Sequence, residues 1–385
     1  MATVTGVAEP LSSGEFDVLD LERLDDISDR QIALAGLLRE KSLDALLISR
    51  PENFAWLTGG ADASRTNAIE PTARLFVTPE ARVLVTNNVE SQYLFDRELP
   101  GLGFQLKERP WFEPVDQLAK DLCRGRTVGS DDGFGGSLDL TNDLARLRLP
   151  LTEREHHNIR LLGREVAHAV EATARGCRRG ETEAEIAAEL AHRLVKHQIT
   201  PVRMQICADG RFRRYPHYPF GGERVESSCV IAAVGRRHGL HVACCRAVLF
   251  GENEAFRGAH HKASLMQSTG LYFSRAGVSI SQVWPKVRRI YEKFGCPDEW
   301  QLADQAEVVG YAPCEQRVVP TSEFRLAAGM PMYWHPSVGP ALTGDTVLLR
   351  DGMPELLTPG DGWPQVTVTV KGEPIPRPDV LVRIQ

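Results

Sequence analysis

Residues 215–250, YPHYPFGGERVESSCVIAAVGRRHGLHVACCRAVLF, constrain the fold of this chain more than any other stretch. Residues 230–234 and 241–250 are short apolar runs rich in valine and other strand formers, and the basic, glycine-bearing segment 235–239 between them is turn-like. That order predicts a β-hairpin. His217 then falls on the approach to the first strand. Because side chains alternate across a strand, Ala243 and Cys245 share one face while Cys244 points the other way, and Tyr333, His335 and Ser337 share a face further on.

At 385 residues the chain is long enough for two domains with proper cores, and its net charge of -6 offers no footprint for nucleic acid. The N-terminus lacks a basic region followed by an apolar core, and no apolar run approaches the roughly 18 residues of a membrane span. These observations predict a soluble cytoplasmic protein with no membrane or nucleic-acid partner. The eight cysteines form no CxxC pair, so neither a zinc ribbon nor a disulfide framework is expected, and buried free thiols are the plain reading.

Residues 1–26 read as a polar arm. From residue 27 helical spacing, the run LDALLISR, a short helix in ENFAWLTGG, and the strands RLFVT and ARVLVTNN alternate. Such alternation predicts an α/β domain over 27–150. The remainder, 151–385, opens with two helices. Thr152 with Glu155 forms a capping-box pattern, and Ile159, Leu162, Val166, Ala169 and Val170 form an apolar stripe. Residues 251–300 predict two further helices, and the terminal part is strand-rich. The overall class is therefore α/β (α+β) with two domains.

Three phrases in this sequence, SRPENFAWLTGG, the helix opening RRGETEAEI and the hairpin ending in Arg246, resemble the creatinase, aminopeptidase P and methionine aminopeptidase ("pita-bread") family over roughly residues 30–370. The resemblance implies a creatinase-like N-terminal domain and a pita-bread C-terminal domain. It also implies a site for two metal ions held by two aspartates, a histidine and two glutamates. Those positions fall here on Ala233, Ala243, Tyr311, His335 and Gly344. Two alanines and a glycine supply no carboxylate oxygens for hard divalent ions, so no dinuclear site, no metal and no cofactor are expected.

In metal-free creatinase the histidine matching His217 transfers protons, and glutamates that align with Cys245 and His335 hold a guanidinium. This chain has exchanged both glutamates, which argues against creatine and for a neutral or anionic substrate. Imidazole changes charge near neutral pH, so His217 is the natural general acid/base, with a structural histidine as the plain alternative. Cys245 is a candidate nucleophile if a histidine lowers its pKa, and otherwise a pocket-lining thiol. His335 completes the catalytic candidates. A mononuclear zinc site from His217, Cys245 and His335 is chemically allowed but has no known ligand spacing.

Tyr311, Tyr333, Arg246 and Arg65 are candidates for substrate binding. In relatives the loop after WLTG can reach the partner subunit's site, so Arg65 would grip a carboxylate across a homodimer. The expected function is metal-independent hydrolysis of a C–N bond in a small molecule. The alternatives are a degenerate binding protein, like the histone-chaperone subunit with a peptidase-like domain, and a lyase or cyclase acting on a small metabolite.

Overall fold

A computed structural model describes Ser13, residues 20–64 and residues 72–383, and the chain divides into two compact units, Met1–Arg148 and Leu149–Gln385. Arg65 lies outside the described residues. Helix α1 (Leu21–Lys41) starts before the helical spacing suggests, because Asp20 accepts a hydrogen bond from the Arg23 backbone and caps it. Among the described residues no helix is long and apolar enough to cross a membrane.

The first unit is built on a six-stranded sheet ordered β4-β3-β2-β1-β5-β6. Its strands are β1 (Ala45–Ile48), β2 (Arg74–Val77), β3 (Arg82–Asn87), β4 (Gln105–Arg109), β5 (Val128–Ser130) and β6 (Leu138–Asp139). The helices are α2 (Pro51–Leu57), α3 (Ser91–Tyr93), α4 (Val115–Cys123) and α5 (Thr141–Leu147). The asparagine of the ENFAWLTGG phrase is structural. Asn53 donates to the Asp131 carboxylate at 2.8 Å, and the Ser49 and Arg50 backbone N–H groups donate to the same carboxylate at 2.9 Å each. One buried acid thus ties the end of β1 to the start of α2.

In the second unit α6 (Glu153–Gly176) and α7 (Glu183–Lys196) each begin with a complete capping box, on Thr152–Glu155 and Thr182–Glu185. The predicted stripe of α6 is buried. The unit's large sheet, nine-stranded among the described residues, runs β11-β10-β12-β15-β9-β8-β7. Its members are β7 (Thr200–Ala208), β8 (Ser228–Arg237), β9 (Leu240–Phe250), β10 (Ala306–Val308), β11 (Gln316–Arg317), β12 (Pro331–Trp334) and β15 (Gly344–Leu348). β16 (Glu355–Leu356) pairs with β15, and β19 (Leu381–Arg383) with β9. The short hairpins β13 (Ser337–Val338) with β14 (Ala341–Leu342), and β17 (Gln365–Val370) with β18 (Glu373–Pro378), lie off the sheet.

The predicted hairpin is β8–β9. Its turn is tighter than 235–239, because Arg237 already pairs with Leu240. His238 and Gly239 sit at φ 51° and 75°, the pair of positive values that a two-residue turn needs to match strand twist.

Helices α6 and α8 (Glu254–Phe273) cover one face of this sheet, with α9 (Ile280–Lys293) packed against α8. A Cβ at Gly270 of α8 would meet the Trp334 ring at 2.6 Å, so only glycine permits that approach. On this face Arg246 meets Glu171 and Asp345, and Arg377 also pairs with Asp345. At the sheet edge Glu355 receives hydrogen bonds from Arg160 at 2.6 and 3.1 Å. Arg160, then Arg350, hold the Glu355 carboxyl at about 2, well below the ordinary range. A depressed carboxyl stabilises the fold at pH values above its unfolded pKa, and the contribution is lost as pH falls toward the folded value. The Tm gap between wild type and Glu355→Gln is therefore expected at pH 7 and should close between about pH 4.5 and 2. A gap independent of pH would remove the ion pair as its cause.

Candidate active site

The opposite face of the sheet carries the candidate site. Directly opposed residues of an antiparallel pair share a face, and here Val234 opposes Ala243 and Ala232 opposes Cys245. Ala233 opposes Cys244, and a Cβ on its face-mate Gly235 would meet Val166 of α6. The Ala233 side chain therefore turns toward the helices, and a side chain there does not face the recess.

A recess of about 20 Å³ opens on this face, with β8 as floor, Tyr333, His335 and Leu342 as one wall, and Gln205, Phe212 and Pro216 as the other. That is room for a water-sized species. His217, Asp304 and Arg203 line it and continue into an outer cleft of about 670 Å³, shared with Glu307, Cys314 and Arg317. The outer cleft is in the size range of small-molecule sites.

Several elements converge to place these side chains. The loop between β7 and β8 presents His217, whose Nε2 lies 3.1 Å from Asp304 Oδ1. Tyr333 and His335 stack with ring centroids 4.5 Å apart, which follows from their shared face on β12 and its exit. Glu307 opposes Tyr333 across the β10–β12 ladder, and the His335 backbone N–H donates to Gln305, so the acidic pair is brought beside the aromatic pair by register. Arg203 Nη2 sits 3.7 Å from Glu307 Oε1.

Burial pushes the His335 imidazole down to about 4, against the opposing pull of Asp304, so it is neutral at pH 7. Burial opposes ionisation of Asp304, but His335 and His217 outweigh it and hold that carboxyl below its ordinary value. Glu307 is raised by burial, against the pull of Arg203. His335 is 8% exposed, and its Nε2 has no hydrogen-bond partner among the described residues.

Of the residues singled out in the sequence, the structure brings His217, His335 and Tyr333 together. Cys245 lies on the expected face but is buried beneath Leu342, whose carbonyl accepts its thiol at 3.7 Å, and it does not line the recess. Burial raises its pKa well above the usual thiol value, so it is a packed thiol and not an activated nucleophile. Nor is Arg246 a cation of this pocket. It points to the helical face, where Glu171 and Asp345 hold it. Tyr311 is also away from the recess, with its hydroxyl donating to Glu155. Ser337 falls on the separate β13–β14 hairpin.

Asp304 and Glu307 were not singled out in the sequence. Their spacing of three would put them on opposite faces of a strand. Asp304, however, precedes β10, so the strand rule does not govern it. The available signal was the pair of acids in ADQAE, entering the strand that pairs with the one leading to His335.

The metal pair implied by the resemblance does not fit these residues. The positions that face the recess on the hairpin hold alanine and valine, Tyr311 bonds elsewhere, and a Cβ at Gly344 would meet the Tyr333 hydroxyl at 2.4 Å. Tyr333 therefore fills the space that a glutamate at 344 would need.

Comparisons with known proteins agree with this fold. The model of the creatinase/prolidase N-terminal domain matches residues 30–134, and that of metallopeptidase family M24 matches residues 157–372. No curated protein matches the sequence. Among solved structures, the prolidase from Pyrococcus horikoshii superposes with a TM-score of 0.72 at 18% identity, over 88% of this chain and 99% of that one. The X-Pro aminopeptidase from Thermotoga maritima gives 0.72 at 18% identity, over 92% and 99%. The N-terminal domain of the FACT complex subunit SPT16 from Cicer arietinum gives 0.68 at 13% identity, over 88% and 97%. With the M24 model covering more than half of its length and a creatinase/prolidase-type domain ahead of it, the chain belongs to metallopeptidase family M24, with a peptidase-like hydrolase fold.

Proposed function

We propose that this chain hydrolyses a C–N bond, in an amide, lactam or amidine, of a small carboxylate-bearing molecule, with His217 as general acid/base and without the family's pair of metal ions. The observation that carries this reading is the His217–Asp304 pair at the mouth of the recess, 3.1 Å apart. Asp304 orients the ring through Nε2 and leaves Nδ1 to exchange protons. Water attacks the substrate carbon and gives a proton to His217, and the C–O bond forms as the carbonyl π pair moves to oxygen beside Arg203. Collapse breaks the C–N bond, and His217 returns its proton to the departing nitrogen, giving an acid and an amine from an amide or lactam; in an amidine the π pair moves to nitrogen instead, and the products are an amide and an amine. Arg203 and Arg317 in the outer cleft suit a substrate carboxylate.

The fold neighbours include a prolidase and an X-Pro aminopeptidase, so short X-Pro peptides head the substrate panel, followed by N-acyl amino acids and carboxylated lactams. Incubation of the wild type with this panel, followed by mass spectrometry, is expected to show one class depleted with matching acid and amine products. Wild-type turnover by His217→Ala would overturn the mechanism. The absence of any product, with saturable binding of a panel member, would favour the second reading, a ligand-binding protein. That second reading rests on the alanine and glycine at the aligned ligand positions. Assembly as a cytoplasmic homodimer, with Arg65 reaching the partner's site, belongs to the same proposal, and sedimentation velocity tests the dimer.

A further inference from the structure

The recess contains an arrangement that the proposed proton transfer does not use in full. One ring nitrogen of His335 and one carboxylate oxygen from each of Asp304 and Glu307 lie within 4.8 Å of one another. A cluster of acids alone would mean little, since exposed carboxylates gather for many reasons. Here two further facts bear on it. Glu307 is buried, so bulk water solvates its carboxylate poorly, while Asp304, with its side chain 35% exposed, lines both the recess and the outer cleft. The His335 imidazole, 8% exposed, lines the same recess with its Nε2 lacking any hydrogen-bond partner among the described residues. A buried nitrogen left unbonded costs free energy unless something absent from the protein atoms completes it.

We infer that Asp304, Glu307 and His335 form a binding site for a single divalent transition-metal ion, displaced from the positions where the resemblance places the family's metal pair. Two carboxylates balance the charge of a divalent ion, and three protein ligands leave coordination positions open to water or substrate. The imidazole favours zinc, cobalt, manganese or ferrous iron over magnesium or calcium, which prefer oxygen donors alone. Asp304 has two oxygens, so it can hold His217 with one and the ion with the other. Arg203, 3.7 Å from Glu307 and 40% exposed, can turn into the outer cleft when an ion takes up the carboxylate. Only His335 coincides with an aligned ligand position, which is why reading those positions alone led to the expectation of no metal.

The inference deepens the hydrolytic proposal, and it rests on that proposal only for what the ion would supply: polarisation of the substrate carbonyl and a more acidic bound water. Binding itself can be read without substrate. The full-length protein, dialysed against chelator, is titrated with Co²⁺ alone and followed by visible absorption and calorimetry, then challenged with Zn²⁺ and Mn²⁺. One equivalent should bind with a new visible band. His335→Phe, which retains a ring to stack on Tyr333, and Asp304→Asn and Glu307→Gln should each weaken binding by about 100-fold or more, since even indirect partners of ligands cost about 10- to 100-fold.

The absence of saturable binding by the folded wild type, or wild-type affinity in the three variants, overturns the inference. If His335→Phe does not fold, the half-buried Asp304→Asn decides the matter. His217→Ala should retain cobalt binding at near wild-type affinity. If the wild type binds cobalt through these three residues yet turns over no panel substrate, the metal site stands and the hydrolytic reading fails.

Discussion

Replacing His217 by alanine is expected to lower kcat/KM toward the panel substrate by about 10²–10⁴-fold, the usual contribution of a positioned general acid/base. That corresponds to about 3–5 kcal/mol of transition-state stabilisation. Stability should barely change, because the His217 side chain is 62% exposed on a loop and pairs with Asp304, itself 35% exposed. A surface substitution of this kind stays within about 0.5 kcal/mol. The combination separates chemistry from structure, since a misfolded variant would lose both activity and Tm. Asp304→Asn keeps the shape and removes the charge that orients the ring, so it should lower kcat more than it raises KM. Full activity in His217→Ala with an unchanged melting curve would remove the histidine from the reaction and leave its conspicuous place in the sequence unexplained.

The fold was legible because its signals are local and mutually consistent. The capping box at Thr152, the apolar stripe of α6 and the valine-rich hairpin each specify an element without reference to the rest of the chain. The site was legible only in part. His217 declared itself by isolation, and Tyr333 and His335 by alternation along one strand. Alternation already turns Arg246 to the face away from Cys245, but the same logic could not sort Cys245. Alternation gives the face of a strand but not what covers it, and Leu342 of the β13–β14 hairpin caps Cys245 from more than ninety residues away. Asp304 and Glu307 escaped because strand register, with Glu307 set opposite Tyr333, is a tertiary fact. Aligning motif positions directs attention to those positions alone, and acids that lie outside the motif have no template to reveal them.

The opposite face of the same sheet carries the largest stability prediction. Arg246 donates from Nε to Glu171 at 2.9 Å and from Nη1 to Asp345 and to the Cys245 carbonyl, both at 2.9 Å. Its Nη2 reaches the Thr358 carbonyl at 3.0 Å. The side chains of Arg246, Glu171 and Asp345 are all 0% exposed. Arg246→Ala is expected to destabilise the second unit by about 3–5 kcal/mol, because it strands a buried carboxylate that water cannot reach. Asp345 would keep Arg377 and Thr358, whereas among the described residues Glu171 would keep a 3.5 Å contact to Arg175 and the Asp361 backbone N–H.

The greater part of the loss should therefore run through Glu171. In urea unfolding, Arg246→Ala combined with Glu171→Gln should cost clearly less than the sum of the two single changes, since the neutral amide no longer needs the guanidinium. Additive costs would mean that Arg246 stabilises by packing alone. If Arg246→Ala does not fold, Arg246→Lys supplies the comparison, because an ammonium retains the charge but cannot meet four acceptors in one plane. The hairpin thus carries two separable tasks on its two faces. On one face Arg246 holds α6 and β15 to β9, and on the other Ala232, Val234 and Ala243 face the recess.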